Sequence, residues 1–111
     1  MSKTTPLSTE FLYELYATAL RQDQLCAIVS QHMRSDYLPD QSFQRIQKVI
    51  QNHYHTYKQP PSFAVLSQAF HADAEVLDII DEIREYDEGQ SIEGMTDMLE
   101  SYIKAIRLQK V

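Results

Sequence analysis

Glycine is almost missing from this chain, with two in 111 residues beside four prolines. So little turn material excludes a fold built on hairpins, whose tight turns need backbone at positive φ. Cysteine is scarcer still. Cys26 stands alone, which rules out an internal disulfide or a cysteine zinc cluster. In an apolar helical pattern it reads as a small core residue in a reducing compartment. Long apolar runs are lacking: nothing approaches the ~18 residues of a membrane span, and Met1 to Thr9 has no signal-peptide core. The expectation is a cytoplasmic protein without membrane contact. Cations are also few, ten against sixteen acids, for a net charge of −6. Arg84 is the lone cation between Asp73 and Glu100, and Lys104, Arg107 and Lys110 swing the tail back. Without a basic stripe there are no phosphate counterions to displace, so a protein partner fits better than nucleic acid.

What is present is helix-forming. Gln, Glu, Leu, Ala, Lys and Arg dominate, Ile recurs at buried spacings, and the length suits one domain. The reading is all-α, a compact orthogonal bundle of about six helices. Residues 1–9 are expected to form a flexible N-terminus, 10–90 the globular part and 91–111 a C-terminal helix.

The chain is organised around Asp40 to Lys58. Phe43, Ile46, Val49, Ile50, His53, Tyr54 and Tyr57 recur at steps of three and four and so share a helical face. Asp40 is placed to cap this helix, and Pro60-Pro61 closes it. Before it, Ser8 caps a first helix with Phe11, Leu12, Leu15 and Ala19 inward and Tyr13 and Tyr16 at its flanks. Asp23 is predicted to cap a second helix bearing Leu25, Ile28, Val29 and Met33, either separate from the first or continuous with it as one kinked rod, and Tyr37-Leu38 in the turn is expected to tuck onto the core. After it, Ser62 caps a short helix marked by Phe63, Leu66 and Phe70. Asp73 caps a fifth, with Val76, Leu77, Ile79, Ile80 and Ile83, expected to end before Gly89. Ser91 starts a sixth carrying Ile92, Met95, Leu99, Tyr102, Ile103 and Ile106. Its period runs intact into Lys110-Val111, so it is expected to lead on into a further segment.

Catalytic chemistry finds no foothold in these residues. His53 and His55 lie two apart on a helix, about 200° from one another, and cannot share an ion. Neither Cys26 nor any serine has the glycine-assisted turn that presents a nucleophile. No GxxxxGK[ST] or GxGxxG occurs, so no phosphate or dinucleotide cofactor is implied. Glu82 and Glu85 would be the best acid–base pair. With Asp78 and Asp81, however, they form one polar face opposite Ile79, Ile80 and Ile83, the pattern of a solvated face or an acidic docking surface. The seven tyrosines suit core edges and interfaces.

The order of these features resembles the helical N-terminal domain of DnaB-type hexameric replicative DNA helicases. In that family two helices lead to an aspartate–aromatic turn, here Asp36-Tyr37-Leu38. A long helix follows, ending in a tyrosine before a proline, here Tyr57 and Pro60, and then a short helix marked by Leu66. The similarity covers roughly Leu12 to Ile83. One departure is local: the family usually has a glycine between the tyrosine and the proline, where this chain reads Lys58-Gln59. The resemblance implies a non-catalytic collar domain that self-associates, docks a primase or helicase loader, and meets DNA only through a motor domain. It also makes the last helix the start of a dimerising hairpin. Tyr102, Ile103 and Ile106 are the predicted partner interface, and Asp78, Asp81, Glu82 and Glu85 the predicted acidic docking face. The competing reading is a free-standing acidic adaptor: a helicase loader, a regulator or a nucleic-acid mimic.

Overall fold

Capping chemistry divides the chain into its elements. A computed structural model describes residues 8–38, 40–86 and 91–109. Within them the order is α1 (Thr9–Ala19), α2 (Asp23–His32), a 3-10 turn (Ser35–Tyr37), α3 (Gln41–Tyr57), α4 (Phe63–Ala69), α5 (Ala74–Glu85) and α6 (Ile92–Gln109). No strand occurs among the described residues, and the protein is all-α. Ser8, Asp40, Ser62 and Asp73 each accept an amide of the first turn that follows, and Ser91 Oγ does so for Gly94 at 3.0 Å. Asp23 does not cap. Gln22 takes the extended cap position and Asp23 is already helical, where its charge suits the positive end of the dipole. The break at Arg21–Gln22 also separates α1 from α2. α5 ends at Glu85, before Gly89 as expected, and most of the stretch expected to be flexible, residues 1–9, lies outside the described residues.

The core draws on every helix. Leu15, Tyr16, Leu25, Val29, Ile46, Ile50, Leu66, Val76, Ile80, Ile83 and Leu99 are all fully shielded from solvent. Tyr16 was expected at a flank and lies at the centre, because every residue from Leu15 to Leu20 is buried. α1 is wedged between α2 and α5, and its small residues Ala17 and Ala19 allow close approach. Phe11, expected inward, is only half buried.

A polar brace crosses this core. The Tyr16 hydroxyl donates to Gln47 Oε1 at 2.5 Å, and Gln47 Nε2 donates to Val29 O at 3.1 Å and Met33 O at 2.9 Å. One turn on, Gln51 Nε2 donates to Ser30 O at 3.2 Å and Met33 O at 2.8 Å. Two amides of α3 thus reach carbonyls at the C-terminal end of α2, where Ser30 O and Met33 O lie past the last helical donors and Val29 O also accepts the Met33 amide. Tyr37 and Leu38 are buried, as expected, and Gln44 Nε2 holds Leu38 O at 2.7 Å.

α3 ends at Lys58, which adopts the left-handed conformation, φ 59° and ψ 30°. That backbone favours glycine, and Lys58 is the one described non-glycine residue at positive φ. The predicted apolar face loses its partners in the last turns. Phe43, Ile46 and Ile50 are buried, His53 and Tyr54 half-buried, and Tyr57 is 64% exposed with its ring 4.6 Å from that of His53.

α3 and α5 are joined by an ion pair. Asp73 caps α5 through Val76 N at 3.2 Å and also accepts from Arg45. The amide bond first, then Arg45, holds its carboxyl below the usual carboxylate range. Its folded pKa is therefore depressed, so its contribution is present above the unfolded value and lost as pH falls through the folded one. Between about pH 5 and pH 3 the wild type should lose more of its melting temperature than Asp73→Asn. Thermal melts followed by circular dichroism check this; equal losses would remove the linkage.

Candidate interaction surface

α6 carries two stripes. Met95, Leu99 and Tyr102 point inward with Ile103, and Ile106 is partly buried behind them. The Tyr102 hydroxyl donates to Tyr37 O, and Arg107 Nε reaches Tyr37 Oη at 3.5 Å. The interface predicted at Tyr102, Ile103 and Ile106 is thus occupied by the chain's own core. The Tyr102 hydroxyl ties α6 to the 35–38 turn, and the helix also packs on α2. The same packing joins residues 92–109 to the globular part that was expected to end at residue 90.

The second stripe is Gly94, Met98, Ser101, Ala105 and Leu108, spaced four, three, four and three residues apart. That spacing is a heptad seam on the solvent side of the helix. Met98 is 53% and Leu108 73% exposed, Gly94 and Ser101 are open, and Ala105 is half-buried. Beside its N-terminal end lies an open hollow of about 330 Å³ lined by Phe11, Glu14, Gly94, Met95 and Met98. Charge along α6 is asymmetric. Glu93, Asp97 and Glu100 precede Ser101, and Lys104 and Arg107 follow it, all exposed.

The sequence reading missed this stripe because three of its five residues are glycine, serine and alanine. Only the repeated three-four step marks them, and hydrophobicity does not. The predicted acidic face fares differently: Asp78, Asp81, Glu82 and Glu85 are all exposed along α5. Glu82 acts on one half-buried neighbour. Tyr13 is pushed up first by burial and then by the Glu82 carboxylate.

Reactive groups are sparse among the described residues. Cys26 is fully buried and its thiol is pushed up to about 11 by burial, which disfavours the thiolate needed for nucleophilic attack. No group of three metal-ligating side chains converges. No described helix is long and apolar enough to cross a membrane. In comparisons with known proteins, no family model, curated protein or solved structure matches the chain.

Proposed function

We propose that this chain is a non-catalytic assembly and docking domain, of the kind that forms the collar of a replicative helicase ring. In this reading it pairs with a second copy through the open stripe of α6. The observation that carries it is the charge asymmetry flanking that stripe. An antiparallel pair centred near Glu100 sets Asp97 of each copy beside Lys104 of the other, whereas a parallel pair would oppose like charges. Met98 then faces Ser101, and Ala105 faces Gly94. Leu108 arrives over the first turn of the opposing α6, beside the hollow at Phe11 and Met98. The left-handed backbone at Lys58 adds support for the helicase resemblance, since it falls where that family usually has glycine.

A seam along one helix of 18 residues is narrow, so affinity in the range of tens of micromolar is expected. Sedimentation velocity over a concentration series tests it. Each exposed ion pair contributes roughly 0.2–1 kcal/mol, so reversing both symmetric pairs should weaken association about tenfold. Asp97→Lys and Lys104→Asp should each be largely monomeric alone and form a heterodimer when mixed, because mixing restores both pairs. A wild type that stays monomeric at high concentration would remove the pairing. It would leave the second reading, an acidic adaptor, which the fully exposed α5 carboxylates favour.

A further inference from the structure

Away from α6, the end of α3 gathers cations that the acidic composition conceals. Lys58 borders two hollows at once. One, about 650 Å³, lies between the α1–α2 corner and the Lys58–Ser62 loop, with Arg21, Asp23 and Pro60-Pro61 on its walls. The other, about 490 Å³, runs between α2 and α3 and is lined by Gln31, Asn52, Tyr54 and His55 among others. They adjoin at Lys58, which lines both, and are together called the trough.

Arg21 is fixed in place. Its guanidinium donates to Tyr86 O at 2.8 Å and Arg84 O at 3.0 Å, which satisfies carbonyls at the end of α5. It also lies 5.4 Å from the centre of the Phe63 ring, and the Arg84 guanidinium lies 5.5 Å from the same ring. Two like charges are therefore held on one aromatic side chain, and of the two Arg21 lines the trough. The ion pairs among the described residues engage Arg34 and Arg45; Arg21, Lys58 and Arg84 belong to neither. Asp23 is the acid on the wall, and it acts on the Tyr54 hydroxyl, which partial burial and that carboxylate push up. The chain keeps a lysine at Lys58 although the backbone there favours glycine, which holds an ammonium where the two hollows join.

We propose that this trough binds a short acidic stretch of a partner protein in extended conformation. Arg21, Lys58 and Arg84 would take its carboxylates, and the Asn52 and Gln31 amides its backbone. Charge complementarity sets the class of ligand, and its surroundings set the length. The exposed acids of α5 begin beside Arg84 and repel anything that runs beyond the trough, so a short acidic peptide is accepted and a long polyanion rejected. This surface is separate from α6, and the inference stands whether or not two copies pair.

The test is fluorescence anisotropy of a labelled octaglutamate peptide with the 111-residue chain at 50 mM salt, beside octalysine and a twenty-nucleotide thymidine strand. Octaglutamate alone should bind, and binding should weaken several-fold at 200 mM salt. Lys58→Gly relieves the backbone, so its melting temperature should equal or exceed the wild type while peptide affinity falls at least threefold. Lys58→Gly with Arg84→Gln should lower affinity at least tenfold. Absence of octaglutamate binding up to 1 mM, or affinity unmoved by the double substitution, overturns the proposal. So does preferential binding of the thymidine strand, which would make the trough a nucleic-acid site.

Discussion

Replacing Gln47 with leucine should destabilise the fold by about 2–4 kcal/mol, although leucine has nearly the same volume and is apolar. The reason is what the amide leaves behind. Gln47 is fully buried and joins the Tyr16 hydroxyl to the carbonyls of Val29 and Met33. Met33 O keeps Gln51, and Val29 O keeps the amide of Met33 at 3.0 Å, so those losses are partial. Tyr16 loses its acceptor outright. A buried hydroxyl without a partner carries most of the penalty.

Two companion variants separate this account from simple misfit. Tyr16→Phe in the Gln47→Leu background should cost less than the sum of the single changes, because both ends of one bond are then apolar. Gln47→Glu should be worse than leucine at pH 7, since it aims a carboxylate at two carbonyl oxygens, and should recover as acid protonates it. Chemical denaturation across pH measures both. A glutamate variant as stable as wild type at pH 7 would mean that the brace is solvated.

Much of the fold was legible because its punctuation is local. Ser8, Asp40, Ser62, Asp73 and Ser91 are short polar residues directly before apolar periods, and each caps a helix. Gln47 was not legible. On a helix a glutamine reads as a solvated residue, and only the approach of α2 turns it into the centre of a core network. Tyr16 was misread for a related reason, since burial on several sides of α1 has no one-stripe signature. Tyr102 and Ile103, expected at a partner interface, are buried within the chain itself, and Ile106 partly so. An apolar stripe shows that a face will be covered, and here the chain's own core and α2 lie against it, with the Tyr102 hydroxyl on Tyr37 O. The cations of the trough lie far apart in sequence, at Arg21, Lys58 and Arg84, so no charge run announced them.

Leu99→Ala is the change that should most clearly separate the two faces of α6. Leu99 is fully buried, and truncating a buried leucine typically costs about 2–5 kcal/mol through lost transfer energy and the cavity left behind. Its neighbour Met98 is 53% exposed, so Met98→Ala should move the stability of the isolated chain by no more than about 0.5 kcal/mol. In urea, where small domains show slopes of about 1–3 kcal/mol/M, the first change should lower the midpoint by at least about 0.7 M and the second hardly at all. The measurement belongs at low protein concentration, because pairing stabilises by mass action and would otherwise credit Met98 with stability it lends only to the dimer. Raising the concentration should then reverse the ranking in sedimentation, with Met98→Ala losing association through a missing contact in the seam. Equal midpoints for the two variants would mean that α6 is not docked through Leu99, and the open stripe would lose the rigid backing that fixes its register.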